Sequence, residues 1–94
     1  MTKAEVVAEI ANRTGIEKVT VLATVETMME VIKENMIQGN NVYLRGFGSF
    51  IIKTRAQKTA RNITKGKSMI VPAHKIPAFK PAKPFMTAVR TELK

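Results

Sequence analysis

The chain of 94 residues contains no cysteine. That excludes a disulfide framework and a thiolate metal site, and it suits a reducing compartment. No uncharged stretch approaches the ~18 apolar residues that a membrane span needs. Met1-Thr2-Lys3-Ala4-Glu5 places an acid at position 5 with no unbroken apolar run around it, so no secretory signal is expected. The single histidine, His74, has neither cysteine nor clustered acid nearby. Without a carboxylate pair, a triad or metal-ligand spacing in the second half, neither an enzyme nor a cofactor or metal is expected. The most informative absence is of one charge sign. Between Asn35 and Thr91 there is no aspartate or glutamate, while eleven lysines and arginines fall inside that span.

The charges that are present are segregated. Residues 1–40 hold six glutamates against four bases, a net of −2, and residues 41–94 hold twelve bases against Glu92 alone, a net of +11. The overall +9 is therefore concentrated in one half. Such segregation costs self-repulsion in the compact state and calls for a polyanion that neutralises it.

Thr2-Lys3-Ala4-Glu5 has the form of a capping box. Val7, Ile10 and Ala11 follow at helical spacing, and Gly15 offers a stop. A second helical pattern runs from about Lys18 to Gln38. It carries Val21, Leu22, Val25, Met28, Met29, Ile32 and Met36 on one broad stripe, and Glu26, Glu30, Lys33 and Glu34 opposite. Gly39-Asn40-Asn41 closes it. The period then changes to alternation: Val42 and Leu44 interleave with Tyr43 and Arg45, which predicts a short strand. Gly46-Phe47-Gly48 reads as a turn whose glycines can take positive φ, and Ser49 to Arg55 resumes as strand.

From Lys53 to about Lys75 the chain is polar and basic, with few large apolar residues before Met69-Ile70-Val71 and a turn at Thr64-Lys65-Gly66-Lys67. This predicts a two-stranded ribbon without a core of its own. A closing helix, about Lys83 to Glu92, begins with Pro84 in its first turn. The resulting class is α+β: two N-terminal helices, a three-stranded antiparallel sheet with an extended ribbon arm, and a short C-terminal helix. The chain reads as one domain, with 1–40 a helical base, 41–82 the sheet and arm, and 83–94 the last helix.

With residues 53–75 outside the core, 71 of the 94 remain. A unit of that size buries little apolar surface, and the stripe on the second helix exceeds what one short helix and a small sheet would cover. Dimerisation through these helices is the expected remedy. Phe47, Phe50 and Phe79 sit beside glycines and prolines, and they read as core anchors rather than stacking platforms for single strands.

Arg45-Gly46-Phe47-Gly48-Ser49-Phe50, then Arg61-Asn62 in a basic ribbon, then Ile76-Pro77-Ala78-Phe79-Lys80 before a last helix, together resemble the HU/IHF family of bacterial histone-like proteins. The resemblance runs from Met1 to about Arg90. It implies an intertwined dimer whose ribbon arms track the minor groove, each with an apolar wedge at its tip that kinks the duplex. The family's tip motif is Arg-Asn-Pro, and here it is Arg61-Asn62-Ile63.

Ile63 is then the expected wedge. An isolated branched apolar residue among polar neighbours has little local core to join, although packing on a neighbouring Thr or Met is the alternative. Without proline the tip regains an N–H and a free φ, so a less rigid wedge is expected. Lys53, Arg55, Lys58, Arg61, Lys65, Lys67 and Lys75 line the ribbon. Lysines can also merely protect an exposed edge, but mixed charges would serve that purpose equally well, so phosphate binding is the better reading. Arg55 and Arg61 are the better candidates for a narrow minor groove. Asn62 at the tip and Arg45 at the turn complete this set. By resemblance, Lys3, Lys80 and Lys83 contact phosphates flanking the kinks. The often basic position 86 is Met86, with Arg90 or Lys94 as substitutes.

The expected function is architectural binding of double-stranded DNA by a homodimer, with little sequence preference and favour for bent, nicked or gapped forms. The expected setting is the cytoplasm, on the nucleoid. The alternatives are a sequence-specific IHF-like subunit, a basic RNA-binding protein, and a helical dimer docking on an acidic protein or membrane. A membrane role is disfavoured because the bases lie on the ribbon and the first helices are acidic.

Overall fold

The computed structural model describes the backbone of residues 1–62 and 67–93, and the side chains of residues 1–58 and 70–93. It divides into two units, Met1–Asn35 and Met36–Lys94.

In the first unit, α1 (Lys3–Thr14) begins with the expected capping box: Glu5 N–H donates to Thr2 Oγ1 at 3.3 Å, and Thr2 N–H donates to Glu5 Oε1 at 3.4 Å. Two of the donors that a helix start leaves unpaired are thus satisfied locally. Gly15, at φ 76°, ends the helix and donates its N–H to Ala11 O at 2.9 Å. α2 spans Lys18–Ile37, one residue short of the expected end. Among the described residues the buried hydrophobics are Val7 and Val21, at 2% and 3% exposure. Leu22, Met28 and Met29 of the expected stripe are exposed, and so are Val19, Val31 and Ile37, which lie off it. The helix is apolar around more of its circumference than one stripe.

In the second unit, β1 (Val42–Leu44), β2 (Gly48–Arg55) and β5 (His74–Pro81) form an antiparallel sheet in the order β1-β2-β5, while β3 (Lys58–Asn62) and β4 (Lys67–Val71) form a separate two-stranded sheet. α3 (Lys83–Glu92) follows, with Pro84 in its first turn as expected. The ribbon is therefore not one continuous ladder from 53 to 75. Its first three pairs, Lys53↔Ile76, Thr54↔Lys75 and Arg55↔His74, belong to the three-stranded sheet. The ladder lapses over two residues on each strand and resumes at Lys58↔Val71. Pro72 explains the lapse, because it has no N–H to give to a ladder. His74 Nδ1 lies 2.9 Å from Pro72 O, to which it donates when the ring proton is on Nδ1. The register is the same on both sides of the lapse, so no bulge intervenes.

The turn before β2 needs its two glycines for different reasons. Gly46 has φ 83°. Gly48 does not take positive φ; it lies in β2, and a Cβ there would sit 2.6 Å from Lys80 O and 2.5 Å from the Phe79 ring. Close packing, not backbone conformation, makes Gly48 a glycine.

Antiparallel partners share a face, and alternate residues along a strand change face. One face of the three-stranded sheet thus carries Val42, Leu44, Phe50, Ile52, Pro77 and Phe79. Phe47, Phe50, Phe79 and Phe85 form a cluster with ring centroids 5.1 Å apart for Phe47–Phe79 and Phe50–Phe79, and 5.5 Å for Phe47–Phe85. The three expected anchors do pack together, but Phe47 and Phe79 remain 47% and 39% exposed. An open apolar groove of about 380 Å³, lined by Phe79, Pro81, Phe85, Met86 and Val89, adjoins them. No helix among the described residues is long and apolar enough to cross a membrane.

Candidate nucleic-acid interface

The opposite face of the sheet carries the charge. The pairings Tyr43↔Ser49, Ser49↔Lys80, Lys53↔Ile76 and Arg55↔His74 place Lys53, Arg55 and Lys80 on one surface with Tyr43 and His74. Arg45 follows β1 in the turn, and Lys83 opens α3. Arg45, Lys80 and Lys83 line one open groove of about 500 Å³ together with Tyr43 and Ser49. Strand spacing of about 4.8 Å keeps such a row close enough for neighbouring phosphates of one strand to span it. All seven of Arg45, Lys53, Arg55, Lys58, Lys75, Lys80 and Lys83 are exposed. Among the described residues the ion pairs are Lys3–Glu26 at 3.7 Å and Arg13–Glu9 at 3.0 Å, both within the helical unit. The cations of the sheet face carry their charge without an acidic partner close by.

Not every expected residue joins this surface. Lys75 pairs with Thr54, so the register turns it to the opposite face from Lys53 and Arg55. Lys58 lies beyond the lapse, opposite Val71. Arg61, Asn62 and Lys67 have described backbone, with Arg61↔Ser68 and Asn62↔Lys67 the last pairs of the β3–β4 ladder. Ile63 and Lys65 lie outside the described residues. Lys3 belongs to the other unit, where its ammonium is already near Glu26; both side chains are about half exposed, and such a surface pair is weak enough to exchange for a phosphate. Met86 lines the groove of Arg45, Lys80 and Lys83, and Arg90 lines the apolar groove.

Two features of the surface go beyond what the residues alone predict. The alternation of Tyr43 with Arg45 marks a strand and assigns the tyrosine no role, although it already puts the phenol in phase with the cations. Pro72 interrupts the arm where a single ribbon is expected, although a proline inside a strand pattern is a standard sign of such a break.

The chain matches the model of the bacterial DNA-binding protein family over residues 1–90. It is a member of that family. The SPbeta prophage-derived DNA-binding protein HU 2 of Bacillus subtilis is 37% identical over 92 residues, covering 98% of this chain and 100% of that protein. The DNA-binding protein HU of Geobacillus stearothermophilus is 37% identical over 90 residues, 96% of this chain and all of its own. Among solved structures, the Anabaena HU–DNA cocrystal structure superposes with a TM-score of 0.90 at 34% identity, over 95% of this chain and 97% of that one. HU from Thermotoga maritima gives 0.67 at 27% identity, over 95% and 98%. The three-helix, three-stranded architecture of this chain is thus the HU fold.

Proposed function

We propose that the chain is an architectural DNA-binding protein that works as an intertwined homodimer and bends double-stranded DNA with little regard to sequence. The observation that carries this reading is the sheet face on which Lys53, Arg55 and Lys80 align beside Arg45 and Lys83. That face lies in a segment with no acid from residue 36 to 90. Family membership supports it, as does the relation to proteins named DNA-binding protein HU. Phosphate neutralisation supplies most of the affinity, and deformability of the duplex supplies the selectivity, so nicked, gapped or already bent forms bind more tightly.

Residues 1–94 act as one domain in this reading. The 1–40 base holds the dimer together, the arm of residues 53–75 follows the minor groove, Arg55 and Arg61 reach into it with Asn62, and Ile63 wedges at a base step. Lys58, Lys65 and Lys67 neutralise phosphates along the arm, Arg45, Lys80 and Lys83 contact the flanking backbone, and Lys3 does so from its own unit. The reading places the protein on the nucleoid and gives it no reaction to catalyse.

The test is a salt titration of binding to a random duplex and to the same duplex with a nick. The expected result is a log–log slope equivalent to about 6–10 neutralised phosphates, tighter binding to the nicked form, and loss of that preference in Ile63→Ala. A shallow slope, or indifference to the nick, would overturn bending by arms. Tighter binding to an A-form RNA duplex at equal salt would replace DNA with RNA as the ligand.

A further inference from the structure

Tyr43 is the most exposed aromatic residue of the sheet, at 71%, and its hydroxyl accepts a hydrogen bond from a neighbouring asparagine. Ile52 N–H donates to Asn41 Oδ1 at 3.0 Å, which leaves Asn41 Nδ2 to donate outward. It donates to Tyr43 Oη at 3.2 Å. The phenolic oxygen is therefore an acceptor within the protein, and its own O–H has no protein partner among the described residues. A phenol in that state offers one directed donor to the outside.

The register says what it would meet. Tyr43, Ser49 and Lys80 form a row across β1, β2 and β5, and the same groove is lined by Arg45 and Lys83. A donor beside three cations that form no ion pair among the described residues suits an anionic oxygen. Tyrosine hydroxyls are among the groups that contact nucleic-acid phosphates. We propose that Tyr43 donates its O–H to a phosphate oxygen of the bound duplex, and that Asn41 is the positioning residue that orients it. The cations supply charge from flexible stems, whereas the Asn41–Tyr43 relay supplies a fixed direction and so sets where along the groove the phosphate sits. This proposal rests on the reading that the sheet face meets DNA.

The test compares the full chain with Tyr43→Phe, Asn41→Ala, the double variant and Lys80→Gln, by anisotropy titration of a labelled duplex over a range of salt. Tyr43→Phe is expected to bind about ten- to a hundredfold more weakly, in line with loss of one hydrogen bond to a charged group. Its salt slope should match the parent's because no charge is lost, and its melting temperature should stay close to the parent's because the one internal hydrogen bond it breaks, from Asn41 Nδ2, is exposed and water can replace it. Asn41→Ala should weaken binding, yet add nothing on top of Tyr43→Phe. Lys80→Gln should lower both affinity and slope. If Lys80→Gln weakens binding and Tyr43→Phe does not, the proposal falls while the DNA-facing assignment stands. If neither changes binding, that assignment falls with it. A loss in Tyr43→Phe matched by a lower melting temperature would make the hydroxyl a structural group and overturn the proposal. Should Asn41→Ala fail to fold, Tyr43→Phe against Lys80→Gln still decides.

Discussion

At the scale of single residues, the two glycines of the turn before β2 show how one residue type answers two demands. Gly46 is there for its backbone, at φ 83° with open space where a methyl would project, and Gly48 is there because Phe79 and the Lys80 carbonyl occupy the volume a side chain would need. The two should respond unequally to mutation. Gly48→Ala is expected to cost about 1–3 kcal/mol, the usual range for forcing a methyl into packed space. Gly46→Asn should cost well under half as much, since asparagine tolerates the left-handed conformation. Thermal melting of the two variants checks this, and equal losses would show that the contact at Gly48 relaxes freely. In the proposed reading Ile63 makes a related point: as a wedge without proline's locked φ it would rely on its branched side chain for stiffness.

At the scale of elements, the ribbon sorts its cations by register. Lys53 and Arg55 face the same way as Lys80, and Lys75 faces the other way. Lys53→Gln is therefore expected to weaken duplex binding at every sequence and to reduce the magnitude of the salt slope by about one per bound chain. Lys75→Gln should leave the slope nearer the parent's, and equal slope losses would mean that DNA contacts both faces. The period of two in Val42–Arg45 and Lys53–Arg55 makes this half of the arrangement legible from the residues alone, as the capping box does for α1, apolar spacing for α2 and Pro84 for α3. What alternation cannot supply is the pairing partner: only the Thr54↔Lys75 register assigns Lys75 a face. The end of the first ladder has a local sign in Pro72, which lacks the N–H a ladder needs, but the pattern of its neighbours does not say which pairs are lost. The aromatic cluster is half legible. Phe47, Phe50 and Phe79 are placed by their turns and prolines, while Phe85 joins them through a helix whose packing no local signal announces.

At the scale of the whole molecule, apolar surface left uncovered is the dominant fact. Met28, Met29 and Val31 on α2, and Phe47, Phe79 and Val89 in the second unit, are all exposed in the single chain. At about 25 cal/mol per Å² of apolar area removed from water, covering such side chains is a large term beside the ~5–15 kcal/mol that separates folded from unfolded domains. Folding and association should therefore be one transition. The melting temperature is expected to rise with protein concentration, and sedimentation at micromolar concentration should give a single dimeric species. A concentration-independent melt with a folded monomer would remove dimerisation from the proposed mechanism. The uninterrupted register from Gly48↔Pro81 to Asn62↔Lys67 has its own consequence at this scale. An insertion in one strand alone would slide every pair beyond it, and one residue added to each strand would invert the faces of everything distal. The reach of the arm can thus change only in matched steps of two residues per strand, about 7 Å at a time, so arm length in descendants or designs of this chain is a quantised trait.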